Sequence, residues 1–311
     1  MKLRHFAPTV LLLITILLTF PIEYGFTQDI LAEADFSLKD VKSLEVEGGF
    51  CNVELKGSSG SSLTMNARIE GNDNPDKYEI VYRVDNGRIK VWIERPNSSW
   101  RNIKGWMKFD VPKHIDVKID NSSGNIQAED LESNEIYLEA SSGNITAENL
   151  KGLLNLKCSS GNITLEGQDG RTTARASSGN LRIEEVTGDL NAHASSGNIT
   201  ISDIRGDIEA DCSSGNIRLS DTEGRLTIGT SSGNIRGEGI LLTGDSRFKA
   251  SSGGVTIELK NSKEDLSFDL DTGSGNLYAA GSSADDKLIL KRGPITISGI
   301  TTSGNQRYSV D

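Results

Sequence analysis

The chain has 311 residues, of which 33 are glycine, 6 are proline and 35% are hydrophobic, so it can bury a core and wholesale disorder is excluded. Aromatic residues make up only 5%, which points to a thin, extended core of Ile, Leu, Val and Ala rather than a compact globule built on large rings. A formal net charge of −11 with no basic stripe argues against nucleic acid and anionic lipid as partners.

In chain order, the first element reads as an export signal. Lys2 and Arg4 precede an apolar run from Val10 to Phe20, shorter than the roughly 20 residues of a membrane-spanning helix. Small residues at Gly25 and Thr27 place cleavage near residue 27 or 28, so residues 1–27 are expected to be a signal peptide. The mature chain, without Lys2, Arg4 and Glu23, carries −12 and no integral membrane span. Its expected location is the periplasm, the cell surface or the extracellular medium.

Residues 28–120 read as a β-strand capping segment. "SLEVEGGFCNVELKG", residues 43–57, alternates as half-buried strands do. "YEIVYRVDNGRIKVWIERP", residues 78–96, holds two alternating runs joined at Asp85, Asn86 and Gly87, the composition of a tight hairpin. The stretch 91–110 then carries all three tryptophans, Trp92, Trp100 and Trp106, together with Arg95, Arg101 and Lys104. These rings either plug the apolar end of the repeat that follows, the preferred reading, or form a contact surface for a glycan or cell-surface protein through Trp92, Trp100, Trp106 and Arg101.

From residue 121 to 311 the sequence repeats. The glycines of the Ser-Gly-Asn-like units are Gly124, Gly143, Gly161, Gly179, Gly197, Gly215, Gly233, Gly253, Gly275 and Gly304, spaced 19, 18, 18, 18, 18, 18, 20, 22 and 29 apart. A second glycine, at Gly152, Gly170, Gly188, Gly206 and Gly224, halves the period. Each period of about 18 residues thus offers two turns and two short strands, with glycine expected to supply positive φ at the turns. Ile217 and Leu219 share one face of a strand, as do Leu226, Ile228 and Thr230 on the next. The predicted fold is all-β: a parallel β-solenoid of ten repeats, irregular after 253, with two strands per coil and an N-terminal β cap.

Asn125, Asn144, Asn162, Asn180, Asn198, Asn216 and Asn234 recur at one turn position. There Asn tolerates the left-handed region, and stacked carboxamides can bond along the axis, so a structural ladder is expected. Cys158 and Cys212 fall in a small inward column with Ala140, Ala176, Ala194, Thr230 and Ala250; three repeats apart, they are too far to pair, and Cys51 has no partner either, so buried free thiols are expected.

Three chemistries are weighed against this scaffold. Calcium β-rolls need Gly-Gly-x-Gly-x-Asp turns, whereas here the turn is Ser-Ser-Gly-Asn, and Arg171 and Arg225 interrupt the column of Asp189, Asp207 and Asp245. Glu148, Glu166 and Glu184 would stack outward and could serve a glycan-cleaving enzyme, but regular coils leave no insertion to wall a cleft. A threonine array of the ice-binding kind is interrupted in the column Thr146, Thr164, Arg182, Thr200, Arg218, Arg236. With His114 and His193 as its only mature histidines, the chain assembles no nucleophile, base and orienting group, and neither a cofactor nor a metal is expected.

At "MKFDVPKHIDVKIDNSSGNIQAEDL", residues 107–131, a strand ending in Val-Pro-Lys runs into the first repeat. This junction and the serial Ser-Gly-Asn-Ile units that follow resemble a bacterial adhesin-like family of unknown function with a β-solenoid fold, over residues 36–311. The resemblance implies an exported surface or envelope protein and supplies no catalytic residues; this chain has Asn where many relatives have Asp after the glycine. The expected function is a non-enzymatic scaffold for adhesion or cell-envelope interaction. A glycan-active β-helix enzyme and a purely structural envelope protein are the alternatives.

Overall fold

The structure, a computed structural model, describes residues 29–72, 77–94 and 103–310. The expected signal peptide lies outside the described residues, as do Trp100 and Arg101. Apart from a 3-10 position at Lys77, the regular structure among the described residues is β-strand. Alternation explains this: in strands such as Leu181–Thr187 and Ile208–Ser214, buried Leu, Ile, Val, Ala or Cys side chains face away from exposed polar ones.

Two ladders of parallel pairing run through the repeat. In one, Ile163, Leu181, Ile199, Ile217 and Ile235 lie opposite one another on successive strands, each 18 residues beyond the last. In the other, Thr172, Leu190, Ile208 and Leu226 are aligned in the same way. Like side chains therefore stack on like, and the buried aliphatic residues form one continuous core.

The Ser-Ser-Gly glycines are needed for a reason other than φ. Gly124, Gly143, Gly161 and Gly179 take no positive φ, although later members of the column do. What the column shares is contact: a Cβ on Gly143 would lie 2.0 Å from the Gly124 carbonyl oxygen, on Gly179 1.7 Å from that of Gly161, and on Gly233 1.9 Å from that of Gly215. From Gly143 to Gly253 each glycine Cα sits against the carbonyl of the glycine one repeat earlier, and Gly124 sits against that of Cys51, so there is no room for any side chain. The Asn column is corrected too, because none of its seven residues takes positive φ. The left-handed position falls elsewhere in the period, at Asp130, Asn149, Gly167, Glu185, Asp203, Asp221 and Gly239, where short polar residues and glycine predominate.

At both ends, stacking order departs from sequence order. Ser246–Ser252 pairs with Ile295–Ser303, and that strand pairs on its other side with Leu266–Thr272. Correspondingly, Gly304 packs on Gly253, and Gly275 packs on Gly304. The last stretch of the chain thus fills a slot one layer inside the end. The N-terminal end repeats the arrangement: Ser43–Gly49 lies between Arg88–Glu94 and Asp116–Asn121, while Asn52–Ser58 lies between Ile103–Pro112 and Ile126–Glu129. Antiparallel strands finish both ends. Ser62–Gly71 covers Ile103–Pro112 and is covered by Asp29–Lys39; Glu79–Asp85 covers Arg88–Glu94 through a hairpin whose Asn86 and Gly87 have φ of 52° and 81°, the pair of positive values that such a turn requires. Lys287–Leu290 and Ser282–Ala284 do the same at the other end.

Candidate functional site

The last parallel layer at the N-terminal end, beneath the antiparallel strands, consists of Arg88–Glu94 and Ile103–Pro112, which carry Trp92 and Trp106. Both rings point outward, because alternation gives the inward positions to Val91 on one strand and Met107 on the other. The end of the core is closed instead by Leu31, Phe36, Leu63, Met65, Ile69, Tyr78 and Ile80. The plug preferred from sequence is therefore built from the antiparallel strands, and the two described tryptophans stay half-buried on the surface. They occupy different ladders: Trp92 is in register with Glu47, and Trp106 with Asn52. Lys108 Nζ stands 5.8 Å from the Trp106 ring centroid, and the Trp92 indole N–H donates to Glu94 Oε1 at 3.4 Å.

Trp92 borders a cavity of about 260 Å³ lined by Glu47, Phe50, Ile93, Asp120 and Ser122. Trp92, Glu47 and Asp120 share one outward column because their strands are adjacent and in register. Beside it lies a broader groove of about 990 Å³ that includes Lys42, Arg83, Arg88, Lys90, Lys118 and Tyr137. Lys90 bridges Glu47 and Glu45, and its pKa is raised by the hydrogen bond to Glu47, with burial opposing. Further along, Tyr137 donates to Glu139, and that bond with burial pushes the phenol up to about 12. Burial alone would raise Glu139; hydrogen bonds from Lys157 and Tyr137 outweigh it and lower the carboxyl.

The Asn column forms a run of hydrogen bonds. The Asn144 backbone N–H donates to Asn125 Oδ1 at 2.9 Å, and the same bond recurs from Asn162 to Asn144, Asn180 to Asn162, Asn198 to Asn180, Asn216 to Asn198 and Asn234 to Asn216. In most of these steps the side-chain amide also donates to the same oxygen, at 3.2 to 3.4 Å. The run extends past the repeat read from sequence: Asn125 N–H donates to Asn52, Gly254 N–H to Asn234, and Asn276 N–H to Asn305. Sequence spacing missed Asn52 because its layer lies outside the 18-residue period.

Arg171, Asp189, Asp207 and Arg225, weighed above for calcium, line a shallow concavity of about 440 Å³, with Arg171 paired to Asp189 and Arg225 to Asp207. Glu148, Glu166 and Glu184 are in register on adjacent strands, and Glu184 is held by Arg182 at 2.6 Å. His114 Nδ1 lies 3.1 Å from the Glu132 carbonyl, and His193 Nδ1 lies 3.5 Å from Asp211 Oδ2. Among the described residues no group of three or more His, Cys, Asp or Glu could hold a metal. All three cysteines are buried and unpaired. Burial pushes the Cys51 thiol up to about 12 and raises Cys158 and Cys212 as well, against backbone hydrogen bonds that lower them.

These features define an all-β repeat protein with two half-buried tryptophans and its broadest described groove at the N-terminal end. The chain belongs to the Toastrack DUF4097 family, whose model matches residues 41–221 and again 154–304. No curated protein matches the chain in sequence. Among solved structures, a candidate adhesin from Bacteroides fragilis is 13% identical, with 88% of this chain and 95% of that chain covered and a TM-score of 0.33. A candidate cell adhesion protein from Clostridium sporogenes is 12% identical, with 90% and 100% covered and a TM-score of 0.23. A candidate lipid binding protein from Parabacteroides distasonis is 13% identical, with 88% and 96% covered and a TM-score of 0.31. Likenesses this distant say nothing about this chain's ligand.

Proposed function

We propose that the protein is an exported, non-enzymatic scaffold for adhesion or cell-envelope interaction: a parallel β-solenoid over residues 121–311 with a β cap over residues 28–120. Its contact surface is the N-terminal end, around Trp92 and Trp106, and the ligand is a glycan or a cell-surface protein. The observation that carries this reading is the placement of the two rings. Each is half-buried and keeps part of its surface in solvent, on its own ladder of the same end, although smaller side chains close the core beside it, and partly exposed aromatics of this kind are the residues that binding surfaces concentrate. The Asn run serves the scaffold, since each carboxamide oxygen is already used by the next layer.

The experiment is binding of the mature protein to intact cells and a broad glycan panel, with Trp92→Ala and Trp106→Ala compared at matched folding. Loss of binding in a folded variant supports the reading. Binding that survives both substitutions, or no binding by any form, overturns it.

A further inference from the structure

We infer that the cavity beside Trp92 is a receptor for a trimethylammonium head carried by the partner. The inference rests on the N-terminal end being the contact surface, and it specifies the chemistry that end recognises.

The walls of the cavity decide its occupant. Parallel register places Trp92, Glu47 and Asp120 side by side on three adjacent strands, about 4.8 Å apart. Phe50 and Ile93 supply the apolar part of the lining. Trp92, Phe50 and Ile93 set beside two carboxylates in a lining that is otherwise polar favour a cation that carries its own apolar coat. An anion would meet two carboxylates.

About 260 Å³ falls below the roughly 300–1,000 Å³ of sites that enclose complete drug-sized molecules and is ample for a head group, so charge, not size, selects the occupant. The two carboxylates differ in availability. Glu47 is engaged by Lys90, whereas Asp120 is exposed and makes no ion pair among the described residues. Asp120 is therefore the counter-ion left for an incoming cation, and Trp92 is the platform.

The test uses choline as the cation and 3,3-dimethylbutanol as its uncharged isostere, each titrated into the mature protein at constant ionic strength. The readout is the nuclear magnetic resonance signal of the Trp92 indole N–H, assigned by its disappearance in Trp92→Phe. Choline is expected to give a saturable shift with affinity on the order of millimolar, and the alcohol none; Asp120→Asn, on an exposed site, should weaken choline about tenfold with the melting temperature unchanged. Equal shifts from both compounds, or none from choline, overturn the inference. If Trp92→Ala still abolishes cell binding while choline leaves the indole unmoved, the contact surface stands and the cation receptor falls; if cell binding also survives, both fall.

Discussion

Gly179→Ala separates steric contact from backbone conformation at the repeated turn. A Cβ there would lie 1.7 Å from the Gly161 carbonyl oxygen and 2.6 Å from its carbon. A tolerable carbon–oxygen contact is about 3.3 Å, so the layers must part locally by about 1.6 Å. Ser178 N–H to Ser159 O at 2.9 Å and Asn180 N–H to Asn162 Oδ1 at 2.9 Å bracket the site, and neither survives that separation. Two or three lost hydrogen bonds at about 1 kcal/mol each, with disturbed packing beneath them, give a destabilisation of about 3–5 kcal/mol. Backbone strain adds nothing, because Gly179 has no positive φ. Gly281 is the converse: its φ is +83° and a Cβ there would meet nothing within 4 Å, so Gly281→Ala should cost only the left-handed penalty of about 1–2 kcal/mol. Urea unfolding of both variants, followed by circular dichroism, compares them directly. A Gly179→Ala midpoint equal to or above that of Gly281→Ala would refute the contact account.

In the Asn run, Asn180→Ala removes the oxygen that accepts the Asn198 N–H at 2.8 Å and should cost about 1 kcal/mol, since the freed donor can still reach water; a loss above about 3 kcal/mol in the same urea assay would mean the run is cooperative. The three thiols should resist Ellman's reagent in the folded protein and all react in denaturant, because burial raises every one of them; a thiol titrating at neutral pH before unfolding would contradict its placement. Asp207 is held below its ordinary pKa by the hydrogen bond from Arg225, so its contribution is present above the ordinary carboxylate range and is lost as pH falls through the lowered value. Asp207→Asn should therefore lower the melting temperature at pH 7 and leave it unchanged near pH 2; a deficit that persists in acid would assign the loss to something other than this ion pair.

The interior of the fold was legible because the period is local. Ile199, Ile217 and Ile235 recur at fixed spacing, each strand alternates, and the glycines mark the turns, so stacking like on like follows without knowledge of the rest of the chain. The reason for the glycines was only partly legible. Their recurrence suggests positive φ, which Gly152, Gly170 and Gly188 take at 117°, 138° and 130°, but at Gly143, Gly161 and Gly179 the requirement comes from a carbonyl one layer away, and a further left-handed position, at Asp130, Asp203 and their equivalents, is marked by no single residue type. Cys51 shows the same dependence on neighbours. It stands in the glycine column at the N-terminal end, where Gly124 packs on its carbonyl, and its thiol fits because the next residue outward is Gly105, where a Cβ would lie 2.1 Å from the sulfur. Neither residue explains itself in sequence; each makes room for the other.

The candidate site was hidden for a related reason. Trp92 stood out by composition, but nothing local says that Glu47, 45 residues earlier, lies between Trp92 and Asp120. That neighbourhood exists because the terminal segments fill slots inside the stack instead of extending it. An end layer added in simple sequence order would expose two parallel strand edges, which invite further pairing. Turning the chain back so that an antiparallel strand faces outward, and a terminal segment is held on both sides, closes the core at each end. The irregular spacings of 22 and 29 after Gly253 are the trace of this reversal, since a chain that leaves the stack and returns needs extra residues to do so. At the N-terminus the same reversal sets a tryptophan beside two carboxylates, so the device that ends the stack also builds the concavity proposed for binding.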